Sequence, residues 1–415
     1  MTHDTNIPQG YKATALGIIP QEWEVMRLGD IVSITSGESP SLYHLKAEGK
    51  YPYVKVEDLN NCEKYQESSR EYSDDNNTTI KAGSIIFPKR GASILNNKVR
   101  IAAKDIQMDS NMMAITPHTT IVDTEFLYIR ILHERLYRIA DTSSIPQINN
   151  KHIIPYKIAV PPLAEQRKIA EVLGVWDEAI EKQARLIEKL ALRKRALMQR
   201  LLSAKLRLPG FSSPWQKVKL GDIGDTYNGL SGKNKDDFEY GNAQFIPYIN
   251  VFSNERIDTN NLGCVQIKPN EQQNTVKYGD IFFTVSSETP DEVGMASVLL
   301  EHLNNTYLNS FCFGYRLNNF STLNPFFAAY LFRTEHFRNY MSVLAQGSTR
   351  FNISKKEVMK LKIDLPTIEE QTAIAEVLTA ADREIELAKE KLDRLRRQKR
   401  GLMQQLLTGK RRIKY

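Results

Sequence analysis

Two cations close an apolar run in the first half of the chain: Ser84-Ile-Ile-Phe-Pro leads straight into Lys89 and Arg90. Cations at a strand end can hold the phosphates of a polyanion, and an arginine fork also fits a base edge. The corresponding run in the second half, Asp280-Ile-Phe-Phe-Thr-Val, ends on Ser286 and Ser287, whose hydroxyls serve either contact. Two more polar loops occur in matched positions. Ser36-Gly-Glu-Ser parallels Ser231-Gly-Lys-Asn-Lys, which brings in Lys233 and Lys235. Thr142-Ser-Ser-Ile-Pro-Gln-Ile-Asn parallels Gly347-Ser-Thr-Arg-Phe-Asn-Ile-Ser. The first of these offers Ser144 and Gln147; the second offers Ser348, Thr349, Arg350 and Asn352. Taken singly, each residue reads equally well as solvated loop polarity. As matched sets in two halves they point to a DNA-binding surface.

Bond-making chemistry is not written here. There is no GxxxxGK[ST] phosphate loop, no GxGxxG cofactor turn and no N/D-P-P-Y/F amino-methyltransferase motif. His133-Glu-Arg-Leu-Tyr is not a zincin HExxH, and Cys62, Cys264 and Cys312 lack ligand spacing. The expectation is no catalytic residue and no metal site. A net charge of +7 and a pI near 9.0 permit a polyanion partner. No apolar run is long enough to cross a membrane, and the first residues lack the form of a signal peptide, so a cytoplasmic protein is expected.

The elements that must position these loops come as a repeat. Leu163-Ala-Glu-Gln-Arg-Lys-Ile-Ala-Glu-Val-Leu-Gly returns as Ile368-Glu-Glu-Gln-Thr-Ala-Ile-Ala-Glu-Val-Leu-Thr, 205 residues later in a chain of 415. Earlier, Trp23-Glu-Val-Met-Arg-Leu-Gly-Asp-Ile returns at Trp215, offset 192. Pro52-Tyr-Val-Lys-Val is matched to Pro247-Tyr-Ile-Asn-Val, and both read as β-rich. The globular stretches are short β-runs broken by Gly, Asn and Asp, with one or two helices each, so the fold class is α+β. The boundaries read as an arm at 1–15, a domain at 16–160, a helix at 161–207, a domain at 208–364, and a helix with a basic tail at 365–415.

Both constant segments predict long helices. One opens on Pro161 and Pro162; the other on Thr367 and Glu370, a capping box. A 3–4 spacing picks out Ile169, Leu173, Trp176, Ile180, Gln183, Ile187, Leu190, Lys194, Leu197 and Leu201 in the first. In the second it picks out Ile374, Leu378, Ala381, Ile385, Ala388, Leu392, Leu395, Lys399, Leu402 and Leu406. The apolar members predict a helix-pairing interface. Each helix starts acidic and ends basic, so an antiparallel pair sets acid against base and separates Lys194 from Lys399.

At this point the layout resembles the specificity (S) subunit of type I restriction–modification systems. The resemblance rests on Gly17, Ile19, Pro20, Trp23, Leu28, Gly29, Asp30 and Ile31, then on Pro161, Pro162, Leu163, Glu165, Gln166, Ile169 and Ala170. The second copy departs at Thr367 and Ile368, and Leu208-Pro-Gly-Phe-Ser-Ser-Pro replaces the Ile-Pro signature before Trp215. The resemblance implies two α/β target-recognition domains in a pseudo-two-fold arrangement, joined by two antiparallel coiled-coil helices. Each domain would read one half of a bipartite, asymmetric target in double-stranded DNA, and the helices would set the unread spacer. It implies two methyltransferase (M) subunits and two restriction (R) subunits as partners. S-adenosylmethionine would be bound by the former, and ATP with magnesium by the latter. Two other classes stay open from the residues alone: a nuclease fused to recognition domains, and a coiled-coil scaffold without DNA function.

Overall fold

The computed structural model describes residues 7–142, 145–238 and 240–413. The chain divides into two compact units. The first holds the residues up to Ala184 together with those from Glu390 onward; the second holds Arg185–Lys389. Each long helix, Leu163–Leu201 and Ile368–Leu407, therefore gives one end to each unit.

In the first unit a five-stranded sheet runs Val32–Ser36, Met112–Pro117, Ile85–Pro88, Arg100–Ala102, Tyr65–Gln66. Its central strands are apolar on both faces because each face is covered. Ile85 and Phe87 join one core with Phe126, Ile169 and Leu173, while Ile86 faces a second core with Val54 and Met108. The second unit repeats this with four strands: Gly224–Asn228, Cys312–Leu317, Ile281–Thr284, Ala296–Val298. A three-stranded side sheet lies beside each main sheet, with Tyr51–Val54 parallel to Gln107–Met108 and Ala243–Ile246 parallel to Thr306–Leu308.

That pairing corrects the alignment of Pro52 with Pro247. Tyr51–Val54 corresponds to Ala243–Ile246, an offset of 192. Pro247 sits just beyond the strand as the N-cap of a short helix, Tyr248–Ser253, so Tyr248-Ile-Asn-Val is helical rather than β. Proline has no N–H to give a ladder, and it ends the strand there. The capping box at Thr367 is also only half made. Its hydroxyl accepts from Glu370 N at 3.4 Å, but the Glu370 side chain turns away to an arginine.

The repeated Glu-Gln pair now has a physical role. Gln166 is buried; its Nε2 donates to the carbonyls of Ile121 and Pro161, and its Oε1 accepts from Asp123 N at 2.8 Å. Asp123 is itself the N-cap of helix Thr124–Glu134. Gln371 does the same with Thr322, Pro366 and Asn324 N, and Asn324 caps Pro325–Leu331. Each glutamine thus staples a long helix to its own globular domain.

Each glutamate binds the chain that follows the other long helix. Glu165 accepts from Arg412 Nε at 2.7 Å and Nη2 at 2.9 Å, and from Trp23 Nε1 at 3.0 Å. Glu370 accepts from Arg207 Nε at 2.6 Å and Nη2 at 2.7 Å. Within each unit the helix ends consequently run antiparallel. Ile169 and Leu173 share a core with Leu406 and Leu407 in the first, and Leu201 shares one with Ile374 and Leu378 in the second.

The seam lysines follow the same logic. Lys399 pairs with Asp177 in the first unit; in the second, Lys194 reaches Asp382 at 2.7 Å and Glu255 at 2.9 Å. Arg193 pairs with Glu384 beside it. Since 194 and 399, and 177 and 382, are each 205 apart, one ion pair is made twice from reciprocal copies. All twenty seam positions are buried or half-buried, including the mid-helix residues Ile180, Ile187, Leu190, Ile385, Leu392 and Leu395. Trp176 lies half-buried and lines a groove with Leu402, Gln405 and Leu406.

Candidate nucleic-acid interface

In the first unit one end of the main sheet gathers most of the expected residues. Ser36 lies opposite Met113, and Met113 lies opposite Phe87, two residues before Lys89. Lys89 N donates to Asn111 O at 2.8 Å and Gly37 N to Met112 O at 3.0 Å, so both strand ends flank one turn. Arg90 forms a backbone bridge with Gln147, and Gly91 N donates to Pro146 O at 2.9 Å. Ser36 and Arg90 are exposed, and Lys89 and Gln147 are half-buried. Burial first, and then the neighbouring Arg90 charge, press the Lys89 ammonium pKa below its ordinary value. A phosphate at this rim would favour the charged form again. Ser144 lies outside the described residues.

The second unit builds the same rim with other side chains. Ser286–Ser287 pairs antiparallel with Phe351–Asn352, Ser286 opposite Asn352. Ser348, Thr349, Arg350 and Asn352 are exposed, and the two serines are half-buried. Ser287 Oγ also donates to Glu292 at 3.0 Å. Two loops that lie some sixty residues apart in each half thus meet at one sheet end, in both units, through equivalent backbone pairings.

The family model for the type I restriction modification DNA specificity domain matches residues 20–191 and again 212–397. The chain belongs to this specificity family. It is 26% identical over 424 residues to the type I restriction enzyme MjaVIII specificity subunit of Methanocaldococcus jannaschii, covering 95% of this chain and 94% of that protein. It is 25% identical over 444 residues to the MjaX specificity subunit of the same organism, there described as putative. Among solved structures, it superposes with a TM-score of 0.64 on a chain from a study of complex assembly and conformational transition of the type I R-M system, at 20% identity over 94% of this chain and 99% of that one. The S subunit from M. genitalium superposes with a TM-score of 0.53 at 17% identity, covering 98% of both chains.

Two residues of the specificity domain were misplaced by sequence matching. The counterpart of Ser36 is Asn228 rather than Ser231: Ser36 faces Met113, and Asn228 faces Phe313 in the equivalent pairing. Gly37 and Gly229 fix this register, because a Cβ on either would lie 2.0 Å from the carbonyl oxygen of Asp109 or Asn309. Lys233 consequently falls beyond the strand end. Its side chain is only 3% exposed, and its ammonium is held by Glu271 and by Gln266 O at 2.6 Å. That ammonium is engaged inside the protein and is not offered to a phosphate. Lys235 is exposed on the short helix Lys235–Phe238, which hydrogen-bonds at Gln266 beside the three-stranded sheet.

The structure also adds residues to the rims. Asn228 accepts from Lys355 Nζ, and Phe311 stands 58% exposed on the turn whose carbonyl receives Val285 N. Ile145, 71% exposed, occupies the loop position 205 residues before Arg350. The constant offset of the repeat was the signal for Ile145, and the offset of 192 between Trp23 and Trp215 was the signal for Asn228, whereas nothing in the spacing marked Phe311 or Lys355.

Proposed function

We propose that this specificity-family chain is the non-catalytic DNA-recognition subunit of a type I restriction–modification complex. Each unit reads one half of a bipartite target through its sheet-end rim, and the paired helices keep the two readers at a set separation. The observation that carries this reading is the rim itself: one backbone frame built twice, with Lys89, Arg90 and Gln147 on one copy and Ser286, Ser287, Arg350 and Asn352 on the other. Equal frames with unequal side chains suit two different half-sites, so the target is asymmetric.

The helices dock two methyltransferase subunits, and two restriction subunits join them. S-adenosylmethionine belongs to the former, and ATP and magnesium to the latter. One adenine in each half-site is flipped from the duplex and methylated by a partner. Reciprocal ion pairs support the antiparallel arrangement and jointly oppose the parallel alternative, which would set Lys194 against Lys399.

The test is a base-resolved interference footprint of the chain copurified with its methyltransferase subunit. Two short clusters of sensitive bases flanking an insensitive gap are expected. One contiguous cluster, or none, would remove the bipartite reading.

A further inference from the structure

The backbone closes in the same way at Asp141 and Gln147 as it does at Gln346 and Asn352. Asp141 and Gln147 exchange backbone hydrogen bonds of 2.9 and 3.0 Å, and Gln346 and Asn352 exchange bonds of 2.9 and 2.8 Å. Five residues lie within each closure. Each hairpin docks on its strand end by one equivalent bond, Ile148 N to Lys89 O at 2.9 Å and Ile353 N to Val285 O at 3.0 Å. On this shared frame Ile145 and Arg350 hold the same position, and both are exposed.

Charge changes place between the two frames. In the first unit the cations stand on the strand end, at Lys89 and Arg90, and Ile145, at the sequence position 205 before Arg350, is exposed. In the second the strand end carries Ser286 and Ser287, and the hairpin shows Arg350. A rim that grips a duplex needs a cation for the backbone and a separate group for the base edges. With phosphates held from the strand end, the first hairpin is left to read, and Ile145 has only an apolar surface to read with. On the major-groove edges of DNA the one apolar feature is the 5-methyl group of thymine.

We propose that Ile145 is a specificity-determining residue of the first unit, packing on a thymine 5-methyl group while Lys89 and Arg90 hold the adjoining phosphates. This rests on the recognition function proposed above. It separates T·A from C·G at one base pair of one half-site without any hydrogen bond. In the second unit Arg350 takes the phosphate, and the serines of the strand end face the bases.

The experiment uses the complex of the full chain with its methyltransferase subunit and a duplex carrying the motif it methylates. Each thymine of the motif is replaced singly by deoxyuridine, which removes only the methyl group, and affinity is read by fluorescence anisotropy at fixed salt. For the unsubstituted complex, one replacement in one half-site weakens binding about fourfold, the worth of one buried methyl. The Ile145→Ala complex binds the thymine and deoxyuridine duplexes alike. The Arg90→Ala complex is weakened on every duplex but keeps the deoxyuridine effect. The proposal falls if no deoxyuridine weakens the unsubstituted complex, or if the effect persists undiminished in Ile145→Ala. A complex that fails to prefer its motif over a scrambled duplex overturns the recognition function itself, which is a separate result.

Discussion

Replacing Arg412 by Met strands a buried carboxylate, and the cost can be worked from the structure. Glu165 is fully buried, whereas the Arg412 side chain is 31% exposed. Breaking a buried ion pair by removing one partner costs about 3–5 kcal/mol. Two features reduce this. Trp23 Nε1 still donates to the carboxylate at 3.0 Å, and water can enter where the guanidinium reached the surface. The net loss is then about 2–3 kcal/mol, or roughly 5–10 °C in melting temperature for a unit of this size.

Glu165→Gln should cost less, because the freed arginine can rehydrate while Trp23 keeps an acceptor. The sign of the double variant is decisive. Arg412→Met with Glu165→Gln leaves no buried charge, so it should be more stable than Arg412→Met alone, by about 1 kcal/mol or more. The assay is denaturant unfolding followed by tryptophan fluorescence, with Trp23 and Trp176 reporting on this unit. Additive losses in the double variant would refute the reasoning, since they would show that Glu165 carries no burial penalty for Arg412 to relieve.

Three further outcomes follow from particular residues. Ala204 ends the first long helix at φ +58°, where its repeat counterpart is Gly409 at φ +71°; Ala204→Gly should stabilise the second unit by about 0.5–1 kcal/mol in the same unfolding assay. Lys233→Met should leave motif binding by the folded complex unchanged but lower stability at neutral pH. The Lys233 ammonium holds the Glu271 carboxyl down at about 2, so this stability is present above the ordinary carboxyl range and is lost as pH falls toward 2. The gap between Lys233→Met and the unsubstituted chain should accordingly narrow from pH 7 to pH 2.5. Arg350→Ala should weaken binding equally on motif and scrambled duplexes and reduce the salt slope by about one unit; relaxed preference at a single base would instead assign Arg350 to base reading.

The helix seam follows a 3.5-residue period that leaves little freedom over five heptads, and its positions are buried or half-buried. Lys194 and Lys399 looked like flaws in that seam, but the early-acid, late-base pattern already held their partners, Asp382 and Asp177. The Glu-Gln pair was visible as a repeat, but its role was not. Glu165 meets Arg412 across 247 residues, and Gln166 meets Asp123 across 43, distances at which no local pattern speaks.

Letter identity and strand register part company in the short polar strings. Ser-Gly at 36 and 231 and Pro-Tyr at 52 and 247 are alike in letters, yet strand register pairs Ser36 with Asn228 and Tyr53 with Phe245. In such loops a two-residue identity carries less information than one backbone hydrogen bond. Lys89, Arg90, Ser286 and Ser287 sit next to strongly apolar strands, whose ends periodicity does locate. Lys233 was misjudged because a lysine beside glycine reads as exposed until Glu271, 38 residues on, is seen to claim it.

The most direct measurement of the central claim is the adenine methylome of the source strain with and without this gene. Loss of one asymmetric bipartite motif on deletion, restored on complementation, is the expected result. A methylome unchanged by deletion would contradict the assignment of DNA recognition to this chain.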